Sequence, residues 1–234
     1  SVVQLDPRRR GEVERQADIL ATGGLSVAGN RYDSATMWHK VTPLFGRGAT
    51  YESWGKRIEV PDTLHRRICQ WDQIVFLKSA QKLDLIWRMA HSSDNPTAFE
   101  RLEALVKENQ GFALFQVIEG AKIGLTSRHE VPLIFRHPKI PIDERLTRGE
   151  FERNSADVTG EITHYLDDFL KRAQIDPASI EVVFLTGGTS LIPSLRREFA
   201  KRFGEERLRH GEEFTSVGEG LALSAPLLFP ELHR

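Results

Sequence analysis

A short stretch near residue 190 combines residue types that suit contact with a nucleotide. An apolar run, residues 182–185, ends in a threonine, two glycines and two further hydroxyl residues, and a proline follows at 193. Glycines lack a Cβ atom and let the backbone approach a ligand closely, and proline is favoured at the first position of a helix. Unpaired N–H groups at a helix start carry positive partial charge, which suits phosphate or ribose oxygens. The candidate binding residues of this turn are Gly187, Gly188, Thr189, Ser190 and Leu191. The alternative is an ordinary tight connection between a strand and a helix.

A second group of polar residues lies on a predicted helix over residues 109–125. Its apolar face consists of Leu114, Ile118, Ala121 and Leu125. Glu119, Lys122 and Thr126 follow one another at i, i+3 and i+7, so they form a separate polar stripe beside that face. This stripe is a candidate ligand contact. The alternative is an exposed Glu–Lys pair that adds about 0.2–0.5 kcal/mol to the helix.

Other residue types with chemical potential do not form recognisable sites. The single cysteine, Cys69, excludes an internal disulfide, and no Cys and His spacing is typical of a zinc site. The eight histidines are scattered among charged residues and do not suggest a catalytic triad. Asp167 and Asp168 lie on the polar side of a predicted helix, where we expect a solvated surface rather than a metal site. We therefore predict neither catalytic nor metal-binding residues.

Four segments of the chain resemble DnaK-type heat-shock chaperones, which belong to the superfamily of actin-like ATP-binding proteins. In chain order they are the small-Gly-x-x-aromatic-Asp stretch at 26–33, the Glu-x-x-Lys helix at 118–126, the Thr-Arg-x-x-Phe-Glu motif within 146–152, and the Gly-Gly turn followed by Ile-Pro at 182–193. The resemblance extends from about residue 1 to residue 225. It covers the second half of the family's ATPase domain only.

The resemblance implies a function and a set of ligands. In these chaperones the Gly-Gly turn and the Glu-x-x-Lys helix contact the adenosine part of ATP or ADP, and Mg²⁺ accompanies the nucleotide. The first phosphate loop, Asp-x-Gly-Thr-Thr, is absent, and the second would precede Ser1. We therefore expect the C-terminal lobe of an ATP-binding domain, cut from a longer protein. Its expected partners are an adenine nucleotide, the missing N-terminal lobe, and a client protein or nucleotide-exchange factor. The chain alone is expected to be inactive.

The expected fold class is α/β, an actin-like ATPase (ribonuclease H-like) lobe II with an inserted, mostly helical outer subdomain. We predict an inner subdomain from residues 1–41 and 144–234, and an outer subdomain from 42–143 that includes a hairpin over 131–142. In the inner part we expect a long helix over 147–173, a strand over 181–185, a helix from Pro193 and a last helix over 216–225.

Composition limits the classes of partner. The chain has 234 residues, 40% hydrophobic content and a net charge of −1, which suits a domain with a sizeable core and gives no electrostatic signature for nucleic acid or anionic membranes. No apolar run approaches the roughly 20 residues that a membrane-spanning helix needs. We expect a cytoplasmic protein that binds neither nucleic acid nor membranes.

Two positions depart from the chaperone pattern and keep other functions open. Ile123 stands where the chaperones have a basic residue stacking on adenine, and Leu191 stands where they have arginine after the turn. Each lost stacking contact is worth roughly 0.5–2 kcal/mol. Weaker nucleotide binding would suit a non-catalytic actin-like interaction or assembly module. A lobe of a small-molecule kinase of the same superfamily is a further alternative, although the Thr-Arg-x-x-Phe-Glu motif disfavours it.

Overall fold

The computed structural model describes residues 1–6, 8, 16–27, 29–210 and 222. The chain divides into two compact units, one formed by Ser1–Val27 with Thr159–Arg234 and the other by Ala28–Val158. These boundaries differ from the predicted subdomain boundaries at 41/42 and 143/144. The difference arises because the helix at 29–36 and the segment that follows the hairpin pack within the second unit. The subdomain division itself stays a prediction.

The elements are numbered in chain order. The strands are β1 (Val2–Val3), β2 (Ile19–Ala21), β3 (Thr50–Ser53), β4 (Lys56–Glu59), β5 (Glu130–Phe135), β6 (Ile142–Thr147), β7 (Val183–Leu185) and β8 (Leu208–His210). The α-helices are α1 (Gly29–Thr36), α2 (Asp62–Ile68), α3 (Ala80–Ser92), α4 (Pro96–Lys107), α5 (Gly111–Ser127), α6 (Arg148–Asn154), α7 (Ala156–Arg172) and α8 (Pro193–Phe203). In the part of the chain described, no helix is both long and apolar enough to cross a membrane.

The 28–158 unit is built around α5, whose apolar face is buried as the periodicity predicted. That face consists of Leu114, Ile118, Ala121 and Leu125. Strand β5 packs on it so closely that a Cβ atom at Gly124 would lie 2.9 Å from Val131 Cγ1. Glycine is therefore required where the helix and the hairpin approach. This packing fixes the position of α5 relative to the hairpin.

The predicted hairpin exists, but its second strand lies further along the chain. Strands β5 and β6 are antiparallel, with Phe135 opposite Ile142 and Glu130 opposite Thr147. Pro138 and Pro141 lie in the connection, and proline has no N–H for the ladder. The turn therefore occupies the region that we predicted to contain the second strand. That strand then leads directly into α6.

The long helix predicted over 147–173 is wrong, because it is interrupted at Ser155. Helix α6 is capped by Thr147, whose hydroxyl accepts a hydrogen bond from the Glu150 N–H at 3.2 Å, and it ends at Asn154. The buried Ser155 hydroxyl donates to the Phe151 carbonyl at 2.7 Å. The Ser155 N–H donates to the same carbonyl at 3.0 Å, and Ser155 has φ −109° and ψ 14°, which lie outside the α-helical region. Helix α7 starts at the next residue, so two helices replace the predicted one.

In its described residues, the other unit contains two two-stranded sheets together with helix α8 and most of α7. Strands β1 and β2 pair antiparallel, whereas β7 and β8 pair parallel. The predicted strand–turn–helix order is confirmed by β7 and by α8, which begins at Pro193. Its buried core cluster consists of Leu170, Leu185, Phe203 and Leu208. The predicted last helix, 216–225, lies outside the described residues apart from residue 222, which is helical.

A paired set of hydrogen bonds joins α7 to α8. Arg202 Nε and Nη2 donate to the two carboxylate oxygens of Asp167, at 2.7 and 2.8 Å. This pairing lowers the pKa of Asp167, chiefly through the hydrogen bond from Arg202. A bidentate pair fixes the relative orientation of two side chains better than a single hydrogen bond does. Asp167 thus links α7 to α8. Within the described residues, no group of three His, Cys, Asp or Glu side chains is placed to hold a metal ion.

Candidate functional site

The Gly-Gly turn connects β7 to α8 through a conformation that requires glycine. Gly187 has φ 79° and ψ 152°, a region that side chains with Cβ rarely adopt. The Ser190 N–H and hydroxyl both donate to the Gly187 carbonyl, at 3.0 and 2.7 Å. The turn is therefore held from within by Ser190.

An open cleft of about 320 Å³ lies beside this turn. Its lining includes the hydroxyl side chains of Thr186, Thr189 and Ser190 and the aromatic rings of Tyr165, Phe184 and Phe199. Mostly apolar walls with a few polar groups are typical of small-molecule sites. The cleft can accommodate a flat apolar ring whose polar edge meets the hydroxyl groups. Tyr165 and Phe199 were not among the predicted site residues, and the position of α7 and α8 beside the turn places them here.

Lys122 on α5 is held by α1 of the same unit. Its Nζ donates to Asp33 Oδ2 at 2.8 Å and to the Gly29 carbonyl at 3.3 Å. The two side chains are only 11% and 9% exposed. Burial raises the pKa of Asp33, although the hydrogen bond and charge of Lys122 act in the opposite direction. Asp33 Oδ1 is buried and has no hydrogen-bond partner among the described residues.

The other members of the polar stripe lie nearer to solvent. Glu119 is exposed, and the Thr126 hydroxyl donates to the Ile123 carbonyl at 2.7 Å, which leaves its oxygen free to accept a further hydrogen bond. Ile123 is 60% exposed on the same helix. An apolar side chain therefore stands in solvent where the chaperone pattern has a cation.

The structure brings the candidate residues together in two separate groups. Glu119, Lys122 and Thr126 share one side of α5 in the 28–158 unit. The second group, Gly187, Gly188, Thr189, Ser190 and Leu191, forms one turn of the other unit. Asp33 was missed as a partner of Lys122, because the two are 89 residues apart in the sequence. The acidic end of the 26–33 motif was the signal that could have identified it.

Comparison with known proteins decides the family. The model of the protein family described as "Hsp70 protein" matches residues 103–234, which is more than half of the chain and includes both candidate groups. The chain belongs to the Hsp70 family. Membership implies the actin-like ATPase fold, and the mixture of helices and strands agrees with it.

Individual Hsp70 relatives are similar over shorter stretches. "Chaperone protein DnaK" of Thermus thermophilus is 30% identical over 127 residues, which are 51% of this chain and 21% of that protein. "Mitochondrial-type heat shock protein 70" of Encephalitozoon cuniculi is 27% identical over 143 residues, covering 57% of this chain and 24% of the relative. "Chaperone protein DnaK" of Mycoplasmoides gallisepticum is 30% identical over 90 residues, 36% of this chain and 15% of the relative. The chain thus spans about a fifth of the length of the curated relatives it matches.

Proposed function

We propose that this chain is the C-terminal lobe of the ATP-binding domain of an Hsp70-like protein, and that it supplies the adenosine side of the nucleotide site. The contributing residues are Gly187, Gly188, Thr189, Ser190, Leu191, Glu119, Lys122 and Thr126. The division into an inner subdomain, 1–41 with 144–234, and an outer one, 42–143, is part of the same proposal.

The observation that carries the proposal is the preformed turn at Gly187 beside the hydroxyl-lined cleft. Gly187 has a backbone conformation that only glycine adopts readily, and Ser190 keeps the turn closed by two hydrogen bonds to one carbonyl. A ligand then meets a rigid backbone and does not have to order a loop, which lowers the entropic cost of binding. The aromatic walls suit a purine ring, and the neighbouring hydroxyl groups suit its polar edge.

The activity of the intact protein is a broader proposal. In that protein, ATP bound together with Mg²⁺ is hydrolysed. Client proteins and nucleotide-exchange factors act as its partners. We assign no Mg²⁺ ligand to the described residues, since they contain no suitable trio of acidic or histidine side chains. This chain alone should bind nucleotide weakly and hydrolyse essentially none. Its cytoplasmic location stays a prediction.

The exposure of Ile123 favours a second candidate function. An interaction or assembly module that no longer depends on tight nucleotide binding does not need a cation at this position. A nucleotide titration separates the two candidates, because only the first requires that ADP bind at the turn.

The test is an isothermal titration of the chain with ADP and with ATP, with and without Mg²⁺. Gly188→Trp places a large side chain at the turn, and Gly188 does not have the positive φ that Gly187 has. Gly160→Trp on α7 is the matched control, since an added Cβ meets no atom within 4 Å there.

We expect the unmodified chain and Gly160→Trp to bind ADP and Gly188→Trp to lose binding. Equal binding by all three proteins would remove the turn from the nucleotide site. Absence of binding at millimolar ADP in the unmodified chain would favour the interaction module.

A further inference from the structure

We propose that Asp33 is a positioning residue, which holds the Lys122 ammonium group in the orientation needed to contact the nucleotide. The inference rests on the proposed function and adds a residue that does not itself touch the ligand. It concerns α1 and α5, which lie in one compact unit.

The geometry leaves Lys122 one hydrogen-bond donor to use. An ammonium group has three N–H donors. One is directed to Asp33 Oδ2 at 2.8 Å and a second to the Gly29 carbonyl at 3.3 Å. With two directions fixed, the third N–H has a defined direction as well. Because the Lys122 side chain is only 11% exposed, a ligand can meet this N–H along a restricted path only.

Lys122 has an alternative partner that it does not use. Glu119 lies three residues earlier on α5, a spacing that allows an ion pair on a helix surface. No such pair is formed between them within 4.0 Å, and Lys122 turns to Asp33 of α1 instead. Glu119 also lies near enough for its charge to raise the pKa of Asp33. Removal of the Asp33 charge should therefore release Lys122 toward Glu119 and solvent.

Stability alone gives a poor account of this buried pair. Taking two charges out of water costs several kcal/mol per ion, and replacing a buried pair with apolar residues is often neutral or stabilising. Here the cost is increased because Asp33 Oδ1 is buried without a partner among the described residues. The orientation that the pair imposes on Lys122 explains its presence better than stability does.

The position of Asp33 is itself well fixed. Its neighbour Tyr32 is fully buried and stacks on Phe151 of α6, with ring centroids 6.0 Å apart. The Thr36 hydroxyl donates to the Tyr32 carbonyl at 3.0 Å, within the same helix. Helix α1 is therefore anchored next to the carboxylate by the stacking of Tyr32 on Phe151. The Asp33 carboxylate can therefore hold the flexible Lys122 side chain in one orientation.

The experiment is a double-mutant cycle on ADP affinity with Asp33→Asn, Lys122→Ala and the double variant. Asn keeps the shape of Asp33 and removes its charge. Asp84→Asn is the matched control, because it removes the same charge from an exposed ion pair, that of Asp84 with Arg88. Asp33→Glu, which keeps the charge, provides a second variant if Asp33→Asn fails to fold. The ¹⁵N signal of the Lys122 ammonium group, measured without nucleotide, reports its order directly.

If Asp33 positions Lys122, Asp33→Asn weakens ADP binding by about tenfold, the size expected for a hydrogen bond to a charged group. The same change has no further effect in the Lys122→Ala background, and Asp84→Asn binds like the unmodified chain. The Lys122 signal broadens or exchanges with water in Asp33→Asn and stays sharp in Asp33→Glu.

Two results would overturn the inference and can be told apart from failure of the proposed function. One such result is that the Asp33→Asn variant binds ADP normally. The other is that Asp33→Asn lowers ADP affinity by the same factor in the unmodified and the Lys122→Ala backgrounds. Either would show that Asp33 does not act through the lysine. A Lys122 signal unchanged by Asp33→Asn would show the same without nucleotide. If the unmodified chain does not bind ADP, the proposed function fails, whereas the Lys122 signal, measured without nucleotide, still shows whether Asp33 orients the lysine.

Discussion

His65 lies fully buried in α2, and only one of its ring nitrogens has a partner. Its Nε2 is 3.0 Å from the Phe45 carbonyl, and because a carbonyl only accepts, Nε2 carries the hydrogen. Nδ1 is buried without a partner among the described residues. Protonation would add a buried charge and an unpaired N–H. Burial accordingly lowers the pKa of His65; the hydrogen bond to Phe45 opposes this effect, the positive charge of Arg47 adds to it, and the charge of Asp62 opposes it.

This residue should make the chain sensitive to acid. With a lowered pKa in the folded state, the unfolded state binds the proton more readily, so stability is present above the unfolded pKa, near 6.5, and is lost as the pH falls below it. We expect a loss of about 1 kcal/mol between pH 7 and pH 5.5 from this group. Urea unfolding of the unmodified chain and of His65→Gln over this range measures it.

The glutamine variant should show a shallower dependence on pH, since its amide can still donate to Phe45 but does not titrate. His39→Gln is the control, because His39 is exposed on the segment that follows α1. Parallel pH dependences for the unmodified chain and His65→Gln would contradict the assignment to His65.

At the scale of elements, the turn after residues 42–45 depends on two glycines with different surroundings. Gly46 and Gly48 have φ of 91° and 83°. A Cβ atom at Gly46 would lie 2.5 Å from Phe99 Cζ, whereas one at Gly48 would meet nothing within 4 Å. Gly48→Ala therefore measures the cost of the backbone conformation alone, about 1 kcal/mol. Gly46→Ala adds the clash with a fully buried ring and should cost about 2–4 kcal/mol.

Thermal or urea unfolding of the two variants tests this difference. Similar losses would mean that Phe99 moves aside freely, which would contradict the packing between this turn and α4.

The same scale shows what the sequence could predict. Helix α8 and the buried face of α5 were predicted because a proline at the first turn and a 3.6-residue apolar period are local signals. The break at Ser155 was not predicted, since serine is tolerated inside helices and its bond to the Phe151 carbonyl shows only in the folded chain. The residues of both candidate groups could be selected from their motifs. The link from Lys122 to Asp33 could not, because it joins elements 89 residues apart.

For the whole molecule, the unit formed by 1–27 with 159–234 leaves apolar strand surface exposed. Strand β7 pairs only with β8 in the described part of the chain, and Phe184 at its centre is 66% exposed. Leu5 and Leu20, close to and within the β1–β2 pair, are also exposed. Unpaired apolar strand edges are templates for association with other chains. We therefore expect this chain to self-associate as its concentration rises.

A single lysine at the edge should reduce that association. Phe184→Lys should lower the fraction of larger species in sedimentation velocity and change the free energy of unfolding by no more than about 0.5 kcal/mol, because the side chain is largely in solvent. Gln81→Lys, on the exposed side of α3, makes the same change in net charge at a distant position and should leave association unchanged. Leu185→Lys places the charge one residue later, at a side chain 7% exposed, and should destabilise the fold by several kcal/mol. Leu185 differs from Phe184 in this way because successive side chains of a strand point to opposite faces. If Phe184→Lys and Gln81→Lys reduce association equally, the effect comes from net charge and not from the strand edge.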